Sequence, residues 1–214
     1  MQRKPAYSLI LAFFSVLSCA RVLAFPTSLN VMPTADLVEP GSLRLEFEND
    51  GYSRPFSSGC ESYWLAQVGI SPRLEAGLDL YHYDGTTEPA LNAKYLLIGE
   101  GRYPQAAIGV LDVCRGLKPF WYLVLARDVG LLRLHAGAAR SGSSHSALLG
   151  AELQIGRGLY LLSDWRSGPE GYATAGIYWE RRGSAVNIAI GFPNTGGDSR
   201  LLLVNISRTL SFAH

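Results

Sequence analysis

The chain is poor in the residues that most enzymes and redox or metal proteins lean on. Its 214 residues include three cysteines, two methionines and four histidines. No two cysteines stand at Cys-x-x-Cys spacing, and there is no Walker-type phosphate loop and no dinucleotide fingerprint, which removes the common nucleotide-binding and zinc-ribbon classes. Charge of one sign is also lacking, with 19 Lys+Arg against 18 Asp+Glu and a formal net charge of +1. A dedicated nucleic-acid binder would show a basic face with interleaved aromatics, and none is present. Charged residues make up only 17% of a chain that is 48% apolar, so a disordered chain is excluded too. Beyond residue 24, no window of 18 residues is free of charge. The most apolar stretch, 119–139, is broken by Arg127, Asp128, Arg133 and His135, so a helical membrane protein is excluded as well.

What is present begins with an address. Arg3 and Lys4 precede an apolar run over residues 7–17, and Val22-Leu23-Ala24 follows, in the pattern of a secretory signal peptide. Cleavage after Ala24 would leave residues 25–214. The alternative is lipidation at Cys19, within Val16-Leu17-Ser18-Cys19. The removed part holds Arg3, Lys4 and Arg21, so the mature charge would be 16 − 18 = −2. Two cysteines, Cys60 and Cys114, remain after cleavage. In an oxidising compartment they either form a disulfide or stand as separate thiols. The domain reading is a signal peptide at 1–24, an N-terminal segment at 25–41 and a β-barrel domain at 42–214.

The rest of the chain has a period of two. Leu74, Ala76, Leu78 and Leu80 alternate with Glu75, Gly77 and Asp79. Leu149, Ala151, Leu153 and Ile155 alternate with Gly150, Glu152 and Gln154. This is the pattern of strands with one apolar and one polar face. Twelve such runs are expected, at 42–49, 61–70, 74–83, 90–99, 105–114, 119–127, 131–140, 145–155, 159–166, 172–180, 184–192 and 200–212. Most have the ~9–11 residues that a tilted strand needs to cross a bilayer. Short connections near residues 71–73, 128–130, 156–158 and 181–183 alternate with longer polar ones at 50–60, 84–89, 167–171 and 193–199. The connections at 100–104 and 115–118 depart from that alternation. An even number of strands with short turns at one end and longer loops at the other predicts an all-β fold, a closed antiparallel transmembrane barrel of an outer membrane.

Register supports the same reading. A tight turn at Arg157 sets Leu153 against Leu161 and Gln154 against Tyr160. One at Arg182 sets Ile177 against Ile188 and Ala175 against Ile190. Apolar meets apolar on the expected lipid face, which also takes Leu43, Leu45, Phe47, Leu134, Val204 and Ile206. Aromatics gather towards strand ends, as interfacial girdles require. The last strand ends on Phe212, resembling the termini read by the outer-membrane assembly machinery, which is therefore an expected partner alongside membrane lipids. Arg208 interrupts its outward face and is expected to snorkel to the rim.

Within residues 29–43, Pro33-Thr34-Ala35 followed by Pro40-Gly41 and a first strand resembles the opening of YjbH-type outer-membrane proteins. Those are β-barrels associated with exopolysaccharide gene clusters, and the resemblance implies a barrel. Locally, Pro33, Pro40 and Gly41 suit a stiff turn better than a strand. The segment is expected to deliver the chain into the first strand, under or into the barrel mouth.

The opposite face of the strands places Arg44, Glu46, Glu75, Asp79, Lys94, Arg133, His135 and Glu152 in the lumen, as lining residues able to select solutes by charge. Arg133 is expected to form a cross-strand ion pair with Glu152, and His135 to face Gly150. With Glu48, which shares that face, carboxylates outnumber basic groups, which predicts a mild preference for cations. No Ser–His–carboxylate triad is found. His82 and Asp84 near Glu88 make a weak metal or acid–base signal, and neither a metal nor a cofactor is expected. The function expected is a non-catalytic small pore or structural barrel for small polar solutes. The alternatives are an outer-membrane enzyme acting on lipid or envelope carbohydrate, through His82, Asp84, His135 or Glu152, and an accessory protein of exopolysaccharide export.

Overall fold

The computed structural model describes residues 28–51, 60–83, 85–113, 118–196 and 200–212. The expected signal peptide, Cys19, Asp84 and Cys114 lie outside the described residues. Twelve strands follow one another: β1 (Ser42–Gly51), β2 (Glu61–Ser71), β3 (Leu74–Tyr83), β4 (Thr86–Ile98), β5 (Gln105–Val113), β6 (Phe120–Val129), β7 (Leu132–Ser141), β8 (Ser144–Gly156), β9 (Leu159–Arg166), β10 (Tyr172–Arg181), β11 (Ser184–Pro193) and β12 (Leu201–Ser211). Each pairs antiparallel with its chain neighbours. β12 returns to β1, with Ser42 opposite Ser211 and Gly51 opposite Leu202, so the sheet closes and has no free edge.

The hairpin registers follow from the tight turns. Leu153 pairs with Leu161 and Gln154 with Tyr160, while Ile177 pairs with Ile188 and Ala175 with Ile190. In the β10–β11 turn, Arg182 and Gly183 have φ of 52° and 75°, the paired positive values of a type I′ hairpin turn. Tight turns at 72–73, 130–131, 157–158 and 182–183 share one end of the barrel, here the turn end. The connections 52–60, 114–119, 167–171 and 194–200 share the other, the loop end. The connection 99–104 is the longer exception at the turn end.

One boundary departs from the sequence reading. Residues 84–89 were expected to form a long polar loop, but Thr86 already pairs with Tyr83 and Pro89 with Leu80. Pro89 is tolerated because the ladder from β4 to β5 begins only at Leu91. Its missing N–H removes no bond on that side.

The alternation sorts side chains to two faces. Outside, Leu45, Leu78, Leu134, Leu153, Ile177, Ile188 and Ile206 are all exposed, Ile177 to 54%. Exposed Trp64, Trp121 and Phe192 sit towards the loop end, and Trp179 and Phe212 towards the turn end. An apolar belt of this extent with aromatic margins is stable only against lipid. Arg208, also outward, donates to the Arg182 carbonyl (3.0 Å) and Ser184 Oγ (2.6 Å), which carries its charge to the turn-end rim.

Candidate functional site

Residues 28–38 lie inside the barrel, with the exposed Glu39, Pro40 and Gly41 joining them to β1, and this segment organises the lumen. The chain turns at its tip, where Leu29 N–H donates to the Met32 carbonyl (2.9 Å) and Ser28 bridges Pro33. Three consecutive amides, those of Asn30, Val31 and Met32, donate to one oxygen of Asp164 on β9 at 3.0, 2.8 and 2.9 Å. The other Asp164 oxygen accepts from Thr174 Oγ1. Asn30 also donates to Thr174 Oγ1 (2.8 Å) and accepts from Asn187 Nδ2 (2.9 Å). Further along, Gln105 Nε2 donates to the Ala35 carbonyl (2.9 Å), Lys94 Nζ to the Asp36 carbonyl (2.5 Å), and Val38 N–H to Glu75 Oε2 (2.7 Å). A segment without strand pairing must satisfy its backbone polar groups this way, because no water-exposed side remains to it.

The lumen walls differ in chemistry. Leu29, Met32 and Ala35 pack with Ala107, Tyr122, Val124, Leu148, Tyr160 and Leu162, a buried cluster carried largely by β5 to β10. Glycines shape the same wall. A Cβ on Gly150 would collide with Leu29 Cδ1 and come within 2.8 Å of Met32 Sδ, and one on Gly69 would run into the Glu39 carbonyl. These two strand glycines leave the space that the segment fills.

All eight residues expected in the lumen face inward and are buried, from Glu152 at 0% to Glu46 at 7% exposure. Their pairings differ from expectation in one important respect. Arg133 does stand opposite Glu152, and His135 opposite Gly150. Yet the Arg133 guanidinium bonds Asp36 and Asp128, both at 2.6 Å, and Gln105 Oε1 at 2.5 Å. Glu152 instead meets the ring of His135, two residues along, with Nε2 to Oε1 at 2.7 Å. The long guanidinium reaches the segment and the strand end, and Glu152 takes the shorter diagonal neighbour. The expected Arg133–Glu152 ion pair is thus replaced by Arg133–Asp36 and His135–Glu152. Burial pushes the Asp36 carboxyl up to about 6, against the opposing pull of the Arg133 charge. Lys94 pairs with Glu75 at 3.2 Å and Arg44 with Glu46 at 2.8 Å.

Between the tip of the segment and the wall formed by β1 to β3 lies a cavity of about 310 Å³ towards the loop end. Its floor is Asn30 to Pro33. Glu46, Glu48, Asp50, Asp79 and Asp112 line it, with Arg166 as the cation on its lining. Tyr63 and Tyr81, packed edge to face at 5.2 Å, add aromatic surface. Glu46 is neutralised by Arg44, whereas Asp79 accepts only from the amides of Gln67 (3.3 Å) and Asn92 (2.8 Å). The cavity is therefore net acidic.

Asp164, Asp36, Asp112 and Gln105 were not singled out in the sequence. Asp164 was within reach, since it shares the parity of inward Tyr160 and Leu162. Asp112 depends on an irregularity where Leu91 pairs with Val113 but Ala93 with Val110. With φ of 61° it points to the Tyr81 hydroxyl, a use of bulges that alternation cannot foresee. Asp36 and Gln105 matter only because the segment is inside. Among the other candidates, His82 lies on the exposed rim beside Thr87 Oγ1 (3.0 Å). Among the described residues, no group of three His, Cys, Asp or Glu could hold a metal ion. The pairing of Cys60 with Cys114 falls partly outside the described residues.

These features define a closed twelve-stranded antiparallel barrel with a lipid-facing exterior and a polar, partly filled interior. No family model and no curated protein matches the chain. Among solved structures, a KdgM porin superposes with a TM-score of 0.56 at 9% sequence identity, over 79% of this chain and 99% of that one. The likeness is one of fold.

Proposed function

We propose that the chain is an outer-membrane barrel that passes small polar solutes, with a preference for cations. The observation that carries this reading is the acidic cavity of about 310 Å³ inside a closed barrel whose outside is apolar. A charge crossing a low-dielectric wall needs compensating charge along its path, and rings or rows of carboxylates supply it for cations. The loop end, with Asp50, Asp112 and the aromatic pair, then faces outward, and the turn end faces the periplasm. The fold shared with the KdgM porin agrees with a solute-passing role.

Of the residues an enzyme was expected to use, His82 lies on the exposed rim, Asp84 lies outside the described residues, and the side chains of His135 and Glu152 are both fully buried. No described hydroxyl is bonded to the His135 ring. The YjbH-type resemblance, and with it a part in exopolysaccharide export, rests on the same residues that occupy the lumen here.

The test is conductance of the folded full chain in planar bilayers under a KCl gradient. The reversal potential is expected to have the sign of cation selectivity. Glu48→Gln with Asp50→Asn is expected to move it towards zero by a third or more. No current at any voltage, from folded native protein and from a folded Gly150→Val barrel in which a side chain takes the seat of Leu29 and Met32, would sink the channel reading, and anion selectivity would sink the charge assignment.

A further inference from the structure

If the barrel passes solutes, the docked segment stands in the way, and its attachments indicate how it is held. It is specific to its place. Gly69 and Gly150 leave the room it occupies, Asp164 gathers three successive amides, and Glu75, Lys94 and Gln105 each meet a single backbone group. It is nevertheless not part of the sheet. Its described backbone links to the ladder all lie at residues 39–41, in the parallel bridge between Pro40 and Gly69 and the bonds of Gly41 to Gly69 and Phe212. No β-pairing would have to break for residues 28–38 to leave.

The docking is also incompletely satisfied. Asp36 Oδ2, Arg133 Nε, His135 Nδ1 and Glu152 Oε2 are buried without a hydrogen-bond partner, all around the point where Asp36 meets the wall. Buried polar atoms of this kind offset part of what the contacts contribute. The hinge is equally clear. Gly41 has φ of 72° and is tied on both sides, its N–H to the Gly69 carbonyl and its carbonyl to the Phe212 N–H, each at 2.9 Å. The pivot is fixed to the barrel wall, and the arm beyond it is held mainly by side chains.

We propose that residues 28–38 are a gate: docked against Asp164 they close the lumen, and by swinging about Gly41 they open a path from the acidic cavity to the turn end. This inference rests on the channel reading. The state described is the closed one. Opening exchanges the Asp36–Arg133 pair and the Asp164 amide bonds for water, and it uncovers Glu152, His135 and Lys94 along the path. Of the walls that remain, Asp164, Glu152, His135 and Lys94 are polar enough to hold water, while the apolar cluster on β5 to β10 loses its cover of Leu29, Met32 and Ala35, a cost that keeps the docked state favoured.

The experiment locks the gate in the full chain. Asn30→Cys and Asn187→Cys replace two side chains that already touch, in a background with Cys19, Cys60 and Cys114 changed to Ser. A short bifunctional thiol reagent joins them in the folded barrel, and single-channel current is compared with the same protein capped by a monofunctional reagent. The linked barrel is expected to carry at least tenfold less current. A full-chain Gly150→Val barrel, whose new side chain competes with Leu29 and Met32 for one space, is expected to carry more current than the native chain. Equal currents from linked and capped barrels would overturn the gate and leave the channel standing. Current found only in Gly150→Val would support the gate. No current from native, capped or Gly150→Val protein, each shown to be folded by its gel mobility before heating, would overturn the channel and the gate together.

Discussion

At the scale of single residues, Asp164 and Arg182 make opposite predictions. Asp164 is 3% exposed, and its carboxylate is satisfied by three amides and a hydroxyl. Asp164→Asn keeps the shape but loses the charge that makes those bonds strong. The expected loss is about 2–3 kcal/mol of segment docking. A Met32→Cys reporter on that background should react with a water-soluble maleimide at least tenfold faster than on the native one, while the barrel itself stays folded. Unchanged labelling would mean that Asp164 does not hold the tip. Arg182, by contrast, sits at φ of 52° in its turn. Arg182→Asn creates the Asn-Gly pair that type I′ turns favour. It should stabilise the barrel by roughly 1 kcal/mol, read as a higher urea midpoint in detergent.

At the scale of elements, what the sequence revealed and what it hid have distinct causes. Strands such as β8 and β9 were legible because alternation is strict and glycine marks the turn, so one tight turn fixes every facing pair. The start of β4 was not, since Pro89 reads as a loop residue unless one knows that the neighbouring ladder ends at Leu91. The inward face of Arg44, Glu46, Glu75, Asp79, Lys94, Arg133, His135 and Glu152 followed from parity alone. Which of them pair did not follow, because parity gives the face and the length of a side chain decides the partner. Residues 28–41 have no period at all. Met32, at 0% exposure, is buried by tertiary contact only, and nothing in its neighbours announces that. Gly150→Val tests this division on β8. Valine favours a strand, so heat stability of the barrel should hold or rise. The Met32→Cys reporter should become accessible because its site is taken.

At the scale of the whole molecule, closure of the ladder predicts resistance that no open sheet would show. Refolded in detergent, the protein should run faster on an SDS gel before boiling than after, since the closed barrel keeps its compact form until heat breaks every strand pair. Identical bands, with protein that stays soluble once detergent is removed, would contradict a lipid-facing barrel. Because the apolar belt and the seam between β1 and β12 belong to one continuous surface, variants of the lumen should leave this gel shift untouched. Glu48→Gln, Asp50→Asn and Asp164→Asn can all be checked for it before any current is measured.

The arrangement around Gly41 also bears on biogenesis. The arm that fills the lumen immediately precedes β1, while the seam that encloses it is made by β12, the twelfth of the barrel strands in chain order. β1 and β12 are the most distant strands in sequence, so their pairing has the largest loop to close and should form late. Until then the barrel is an open trough, and the arm can be laid along it from the side. Once Phe212 bonds the Gly41 carbonyl, the trough becomes a tube and lateral entry is lost. The order of strand pairing thus loads the interior before the wall is sealed.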